Sequence, residues 1–427
     1  MMLQNLKVPE QHVNFLQAVR LGLGEQQGLF FPEQWPHLDF ETLLDLPFAE
    51  RSARILQALI GDEIKPDELH QLVQDAFVFP APLVPVTANC ACLELFHGPT
   101  LAFKDFGARI MARLLSVAQK QQNSTRTTIV TATSGDTGAA VAQAFYQQPN
   151  VDVLILYPEG KISPLQEKLF TTLDDNIHTL AVKGDFDACQ ALVKQVFDDR
   201  SLVQHLNINS ANSINISRIF AQVCYYVEAF AQLSPEQQQQ AVFAVPSGNF
   251  GNLTAGLIAK VIGLPIKRFI AATNSNDTVP RFLQEQVWQP HQTQATLSNA
   301  MDVSNPNNWP RIQHFLDTGL IAPNAISAVA VTEQQTIETV QQLDRLGYVS
   351  EPHAAVAFHA LQSSLQPNEF GVFLGTAHPA KFQVSVEAIL GRNIEVPEVL
   401  LNASRKPSLN GLIEADYASL KASLLAL

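Results

Sequence analysis

From residue 90 onward, short runs rich in β-branched and aromatic residues alternate with longer runs whose apolar residues recur at helical spacing. Strand–helix alternation sustained over this length is typical of parallel sheets flanked by helices, so the sequence predicts an α/β fold with two parallel-sheet lobes. The predicted strands lie at residues 91–96, 127–133, 151–157, 177–182, 241–246, 267–273 and 371–376.

The first 90 residues follow a different pattern. HVNFLQAVRLGLG and FAERSARILQALIG carry apolar residues at helical spacing, which predicts a mostly helical N-terminal part. The segment FPAPLVPV at 79–86 holds three prolines and is predicted to be a connector. The division that follows is a helical part at 1–90, a first α/β lobe at 91–235 and a second at 236–427.

Composition excludes several classes of partner. The formal net charge of −13 argues against a protein that binds nucleic acid or an acidic membrane. We find neither a spanning apolar run of about 18 residues nor a signal peptide, so we expect a cytoplasmic enzyme with a small-molecule substrate. Four cysteines without CxxC spacing predict free thiols, and Cys90, Cys92 and His97 are only a weak candidate for a metal site, so we expect no metal.

In parallel sheets, ligands bind beyond the carboxyl ends of the strands, so the residues after each strand matter most. The strand at 91–96 runs into HGPTLAFKDFGAR, in which Lys104 opens a helix. An ammonium group is electrostatically misplaced there, because the helix dipole favours anions at its start. A desolvated amine of this kind suits Schiff-base chemistry, although a solvated surface lysine is the alternative.

Two other strands run into loops of small residues that are followed by helices. Ser134–Gly138 and Ser247–Asn252 match neither common nucleotide-binding pattern. Backbone N–H groups at such helix starts bind anions, so two loops predict a ligand with two anionic groups. His378 follows the last strand beside a proline and is expected to be structural rather than a base or a metal ligand.

Four motifs occur in order: HGPTLAFKDF, TATSGDTGAA, PSGNFGN and GTAHPAKF. Together they resemble the threonine synthase family of fold-type-II pyridoxal-phosphate enzymes. The similarity begins at NFLQAVRLGLGEQQGLFFPE, and the extra helical N-terminal part is similar to the longer bacterial and fungal branch. The resemblance implies a pyridoxal 5′-phosphate (PLP) cofactor and the last step of threonine biosynthesis, in which O-phospho-L-homoserine and water give L-threonine and phosphate.

The resemblance also implies a role for each motif. Lys104 would carry the cofactor as a Schiff base, Asp136 would lie near its 3′-oxygen, and Thr376 would face its pyridine nitrogen. The cofactor phosphate would be held by Gly248, Asn249, Phe250, Gly251 and Asn252. The substrate carboxylate would be bound by Thr133, Ser134 and Thr137, and the substrate phosphate by Lys161, Asn212, Ser213 and Arg218.

Two alternatives remain open at this point. A related fold-type-II dehydratase acting on hydroxy amino acids would need no substrate-phosphate site, so Lys161 and Arg218 distinguish the two activities. A non-catalytic scaffold on the same fold would be expected to lack the lysine or the phosphate loop, and both are present. The oligomeric state, monomer or dimer, is left open by the sequence.

Overall fold

The computed structural model describes residues 1–122 and 126–427, and it confirms the parallel α/β prediction. The strands are β1 (Met2–Asn5), β2 (His12–Asn14), β3 (Phe30–Pro32), β4 (Leu83–Thr87), β5 (Cys90–Glu94), β6 (Thr127–Ala132), β7 (Val151–Pro158), β8 (Ile177–Lys183), β9 (Ile208–Asn209), β10 (Ala241–Pro246), β11 (Arg268–Thr273), β12 (Ile326–Ala330), β13 (Phe370–Gly375) and β14 (Gly411–Glu414).

Helices separate most of these strands. They are α1 (Phe15–Leu21), α2 (Phe40–Leu43), α3 (Phe48–Ile60), α4 (Pro66–Ala76), α5 (Lys104–Gln122), α6 (Asp136–Phe145), α7 (Pro164–Thr171), α8 (Phe186–Asp198), α9 (Arg200–Leu206), α10 (Ile216–Ala231), α11 (Pro235–Gln239), α12 (Gly251–Val261), α13 (Thr278–Glu285), α14 (Trp309–Asp317), α15 (Glu333–Arg345), α16 (Pro352–Ser364), α17 (Gln383–Leu390), α18 (Glu398–Ser404) and α19 (Tyr417–Leu425). In the described parts of the chain, none of them is long and apolar enough to cross a membrane.

One sheet has six strands in the order β12-β11-β10-β13-β5-β4. All of its pairings are parallel except that of β4 with β5. Its central strand β10 is AVFAVP and is buried throughout, as expected for a parallel strand covered by helices on both faces. The predicted connector at 79–86 contributes the edge strand β4, where Pro85 is tolerated because an edge strand leaves some N–H positions unpaired.

The other large sheet has five parallel strands in the order β14-β8-β7-β6-β9. Neither sheet is built from one contiguous lobe of the predicted division. β5 is the first strand of the predicted first lobe but pairs with β13 of the second, and β14 near the C-terminus pairs with β8 of the first. The boundaries at 91–235 and 236–427 therefore do not describe the sheets, because strand pairing joins segments distant in sequence.

The N-terminal part holds α1–α4, as predicted, together with a small antiparallel sheet in the order β2-β1-β3. Strands of three or four residues are too short to show a two-residue period, which is why the sequence did not reveal them. Helix α3 buries Ile55, Leu56 and Leu59 in the same core as helix α10. The N-terminal part is thus anchored on α10, whose first turn lies at the candidate site described below.

Candidate active site

The chain segments that follow β5, β6, β10 and β13 meet at a buried cavity of about 120 Å³. This is the arrangement expected of parallel strands whose carboxyl ends share one edge. Of the residues assigned from the sequence, the cavity is lined by Lys104, Thr133, Ser134, Asp136, Thr137, Asn212, Ser213, Arg218, Gly248, Asn249, Phe250, Gly251, Asn252 and Thr376.

Lys104 is the first residue of α5, as the sequence predicted. The loop before it is joined to the segment after β13 by two backbone hydrogen bonds. The Phe103 N–H donates to the Thr376 carbonyl at 2.9 Å, and the His378 N–H donates to the Leu101 carbonyl at 3.0 Å. Leu101 adopts a left-handed φ of 56°, a conformation that costs a non-glycine residue roughly 1–2 kcal/mol. Two of the four sequence motifs thus form one paired unit that fixes the position of the amine.

The surroundings of Lys104 favour its neutral form. The pKa of this amine is lowered to about 8, chiefly because the amine is buried; Asp136 opposes the shift, and the nearby cations Arg218 and Lys381 add to it. An amine with this pKa is partly unprotonated near neutral pH. It can therefore act as a nucleophile toward an aldehyde and as a base toward a carbon-bound proton.

Asp136 forms a buried ion pair with Lys381, a residue to which the sequence analysis assigned no role. Asp136 Oδ1 accepts hydrogen bonds from Lys381 Nζ at 2.6 Å and from Gln166 Nε2 at 2.8 Å. Burial by itself raises the pKa of Asp136, but the ammonium groups of Lys381 and Lys104 outweigh it and hold this pKa well below its usual value. Asp136 is therefore ionised. The sequence signal that could have identified Lys381 is its place in the last three residues of the GTAHPAKF motif.

The loop before α12 is shaped to admit an anion. Phe250 adopts a left-handed φ of 59°, and α12 begins at Gly251 without a side chain capping its N–H groups. A Cβ atom on Gly248 would lie 2.6 Å from the Met301 Cα, so only glycine fits at that position. Uncapped N–H groups at a helix start bind phosphate, as the sequence predicted for this loop.

Two unpaired donors provide a test of whether an anionic cofactor fits this cavity. Arg218 Nε and Asn252 Nδ2 are buried and have no hydrogen-bond partner among the described residues. The Asn252 side-chain oxygen accepts from the Tyr225 and Tyr226 hydroxyls at 2.6 and 2.7 Å, which leaves its NH₂ group unpaired. Buried donors without acceptors are costly, and both belong to cavity-lining residues. The residues present therefore fit PLP, with the Lys104 amine for its aldehyde and the Asn252 donor beside the glycine loop for its phosphate, and they leave Arg218 Nε for a second anion.

A second set of donors lies where β9 leads into α10. The structure begins this helix at Ile216, so Asn212 and Ser213 lie in the turn that precedes it. Ser213 Oγ accepts a hydrogen bond from Asn249 Nδ2 at 3.2 Å, which links this turn to the glycine loop. Burial lowers the pKa of Arg218 to about 10, a value that keeps the guanidinium charged at neutral pH.

The Thr133 side chain fixes the conformation of the loop after β6. Thr133 Oγ1 accepts hydrogen bonds from the Gly135 N–H at 2.9 Å and the Gly138 N–H at 2.8 Å. The Thr133 side chain therefore shapes the loop in addition to lining the cavity. Ser134 and Thr137 are half-buried on the cavity wall, where they are free to meet a carboxylate.

Lys161 is the one assigned residue that the structure does not bring to the cavity. It is exposed in the turn after β7, so its contact with the substrate phosphate stays a prediction. His378 caps a short turn by accepting a hydrogen bond from the Ala380 N–H at 3.2 Å, which fits the structural role expected of it. Among the described residues, no group of three or more His, Cys, Asp or Glu side chains could hold a metal ion.

The structure adds His353 to the cavity wall. Its Nδ1 lies 2.5 Å from Glu351 Oε2, and its Nε2 accepts a hydrogen bond from the Ala300 N–H at 3.1 Å. The imidazole thereby fixes the turn at 299–301 that packs on Gly248. Nothing in the local sequence indicated this role, because His353 follows a proline at the start of an ordinary buried helix.

The inner cavity communicates with a larger outer one of about 930 Å³. The outer cavity lies between the N-terminal part, helix α8 and the segment 282–313. Both cavities are lined by Ala132, Gln190, Asn212 and Val303, which therefore form the neck between them. We infer that a substrate reaches Lys104 through this neck.

Thr376 provides a prediction that concerns a single hydroxyl group. The residue is 6% exposed, lines the cavity, and its hydroxyl makes no hydrogen bond with the described residues. We expect Thr376→Val to weaken cofactor binding roughly two- to tenfold and to slow turnover, since one hydrogen bond contributes about 0.5–1.5 kcal/mol. A cofactor titration measures this, with the strand residue Thr87→Val as control. Unchanged affinity and rate would show that Thr376 does not touch the cofactor ring.

Three family models match successive parts of the chain. They are a threonine synthase N terminus at residues 7–77, a pyridoxal-phosphate dependent enzyme at 77–374, and a threonine synthase C-terminal region at 354–423. The threonine synthase of Escherichia coli (strain K12) is 58% identical over 99% of this chain and 98% of its own. That of Serratia marcescens is 57% identical over the whole of both chains.

Solved structures agree with these matches. A crystal structure of threonine synthase from Escherichia coli covers 100% of both chains, with a TM-score of 0.96 and 57% identity. A PLP-bound threonine synthase from Brucella melitensis covers 99% of this chain and 98% of its own, with a TM-score of 0.91 and 32% identity. Maize serine racemase, at 16% identity and a TM-score of 0.56 over 76% of this chain and 97% of its own, shares the fold alone.

Proposed function

The chain belongs to the threonine synthase family of PLP-dependent lyases, and we propose that it converts O-phosphohomoserine and water into threonine and phosphate at the cavity around Lys104. The observation that carries the proposal is the pairing of a buried, partly neutral amine with two separate sets of unpaired anion donors. One set suits the cofactor phosphate and the other suits the phosphate of the substrate.

Lys104 acts twice in this proposal. Its amine would hold the cofactor by a covalent bond, and its unprotonated form would accept the proton from the substrate Cα, because its lowered pKa makes that form available near neutral pH. When bound, PLP supplies the electron sink that stabilises negative charge beside the reacting carbon. The neutral hydroxyl of Thr376 at the pyridine nitrogen would leave that nitrogen unprotonated, which favours elimination over transamination.

The substrate would be held at both ends. Ser134, Thr137 and the backbone N–H groups of Asp136 and Thr137 at the start of α6 would bind its carboxylate, since the Gly138 N–H is already bonded to Thr133. Asn212, Ser213 and Arg218 would bind its phosphate. Two charged ends fixed in this way orient the Cα–H bond toward the amine and place the leaving phosphate beside a cation.

Arg218 is proposed to bind the substrate phosphate and not that of the cofactor. Its Nη1 donates to the Ala211 carbonyl at 2.5 Å, which fixes the guanidinium while its Nε stays unpaired. The glycine loop at 248–252 has room for one phosphate, so a second anion needs donors elsewhere. An arginine held by a backbone carbonyl is well placed to meet phosphate oxygens with its planar fork.

The expected result for Arg218→Ala is a loss of at least about tenfold in kcat/KM, since a charged hydrogen bond contributes about 1.5–3 kcal/mol. Arg218→Lys should recover only part of the rate, because a lysine lacks the planar fork. Phosphate release and a cofactor titration are measured for each variant, with the exposed Arg54→Ala as control. Should cofactor affinity collapse while the substrate constants hold, the two phosphate sites would be assigned the wrong way round.

The dehydratase alternative is tested by the choice of substrate. The purified protein is offered O-phosphohomoserine, serine or threonine in turn, and phosphate and ammonia are both measured. We expect phosphate from O-phosphohomoserine and no comparable turnover of the two hydroxy amino acids. Faster ammonia release from serine or threonine would identify a dehydratase and would leave Arg218 without its proposed ligand.

The state of the cysteines supports a reducing compartment. Cys90, Cys92, Cys189 and Cys224 are all buried and free. Burial raises the pKa of each thiol, which keeps it protonated and unreactive. We propose a cytoplasmic location on this support, since thiols of this kind stay reduced there.

A further inference from the structure

The Asp136–Lys381 pair is more deeply buried than any ordinary surface ion pair. The exposed fractions of the two side chains are 4% and 0%. Both hydrogen bonds to the carboxylate, from Lys381 and from Gln166, end on Oδ1. Oδ2 accepts none from the described residues, and Asp136 lines the cavity together with Lys104. The pair therefore leaves one carboxylate oxygen for the cavity.

The pair is also tied to the loop that carries Lys104. Lys381 Nζ donates a second hydrogen bond, at 2.7 Å, to the carbonyl of Thr100. Gln166 is fully buried against Gly135, where a Cβ atom would lie 3.0 Å from its side-chain amide, so the glutamine has little freedom to turn. Asp136, its partner and the Schiff-base loop thus form one fixed group.

Stability alone is a weak reason for such a pair. Removing two charges from water costs as much as their attraction returns, so buried ion pairs are frequently replaceable by apolar side chains. This costly ion pair lies beside the Lys104 amine, whose protonation decides whether it can react. The charges that act on Lys104 are those of Asp136, Arg218 and Lys381, and only Asp136 favours a protonated nitrogen.

We propose that Lys381 is a positioning residue that keeps Asp136 ionised and turned toward Lys104, while Asp136 in turn neutralises Lys381, so that the two side chains together control the protonation of the Lys104 nitrogen. The inference rests on the proposed role of Lys104 as the cofactor-bearing amine. Without Lys381, the carboxylate would lose its ionising partner and its fixed orientation. Without Asp136, Lys381 would become an unpaired cation beside the Lys104 nitrogen.

The test is a pH titration of the visible absorption band of the holoenzyme, which reports the proton on the cofactor-linked nitrogen without turnover. Asp136→Asn removes the one anion and leaves two cations, so the midpoint is expected to fall by about 1–3 pH units, the range for a lost opposite charge at close contact. Adding Lys381→Met removes the uncompensated cation, and the midpoint of the double variant is expected to recover at least half of that shift.

A matched control is the surface pair Asp199–Lys421, which has a similar separation of 2.7 Å. Asp199→Asn with Lys421→Met should leave the midpoint unchanged. A double variant Asp136→Asn/Lys381→Met with the same midpoint as Asp136→Asn alone would overturn the proposal, because Lys381 would then have no electrostatic effect on the nitrogen. An unshifted Asp136→Asn would overturn it as well.

Thermal unfolding of the apoenzyme gives a second, independent result. Lys381→Met alone leaves a buried carboxylate unpaired and should lower Tm more than the double variant does, although the double variant carries more changes. A loss of Tm in the double variant equal to the sum of the losses in Lys381→Met and Asp136→Asn would show that the residues are not coupled. Because neither measurement uses substrate, failure of the phosphate-release assay and failure of this inference are separate outcomes.

Discussion

Lys104→Ala is expected to abolish threonine formation while leaving the fold intact. The variant loses the covalent attachment of the cofactor and the group that accepts the Cα proton. General-base catalysis alone contributes about 10²–10⁴ to the rate, so kcat/KM should fall by at least that factor. The amine occupies the first position of α5 with its side chain in the cavity, and alanine is well tolerated in a helix, so unfolding is not the expected cause.

Borohydride reduction of the wild-type holoenzyme tests the same assignment directly. Reduction should fix the cofactor on one lysine, and mass spectrometry of the digest should place the label on Lys104. Lys381 is the natural competitor, since it is a second buried ammonium near the cavity, but its Nζ is held by Asp136 and Thr100. A label on Lys381 or any other lysine would contradict the account, as would full activity in Lys104→Ala.

Gly248→Asp should abolish cofactor retention, which is the second large effect. The new Cβ would lie 2.6 Å from the Met301 Cα, a backbone atom that cannot move aside without displacing the turn at 299–301. The added carboxylate would also place a negative charge in the loop proposed to bind phosphate. Steric and electrostatic effects act in the same direction, so the expected loss is complete.

The measurement is visible absorbance and bound PLP after dialysis. Gly391→Asp is the control for the added charge, since a Cβ atom there meets nothing within 4 Å; its left-handed φ of 66° costs the variant roughly 1–2 kcal/mol of stability, but its cofactor should be retained. Gly251→Asp adds the same charge, but its nearest Cβ contacts are side-chain atoms at 3.2 Å. A comparison of the two variants therefore distinguishes the effect of the added charge from that of the steric clash. Retained absorbance in both Gly248→Asp and Gly251→Asp would show that the phosphate lies elsewhere.

Much of the fold followed from local patterns in the sequence. β10 occupies 241–246 and α5 begins at Lys104, as predicted. Both predictions used local signals, since a buried strand appears as a short apolar run and a helix as a period of apolar residues. Pairing between distant segments has no such local signal. β5 joins the sheet of β10 and β13 by aligning Leu93 with Leu374, a contact set by the packing of the whole chain.

The residues of the candidate site also fall into two groups, those that a local pattern identified and those that only the folded structure revealed. Loops at strand ends could be assigned in advance, because parallel topology brings their residues to one edge. Lys381 and His353 could not, since their roles depend on partners that only folding brings near, namely Asp136 for the first and Ala300 for the second. Lys161 shows the converse: it follows a strand as the other assigned residues do, yet it is exposed and does not line the cavity.

The central claim is that this site breaks a carbon–oxygen bond of O-phosphohomoserine and adds water to carbon. The most direct test is to run the reaction in water enriched in heavy oxygen and to weigh both products by mass spectrometry. The account predicts equal amounts of threonine and phosphate, with one heavy oxygen in the threonine hydroxyl and none in the phosphate. Heavy oxygen in the phosphate, with homoserine as the other product, would mean that water attacks phosphorus, and would contradict the claim.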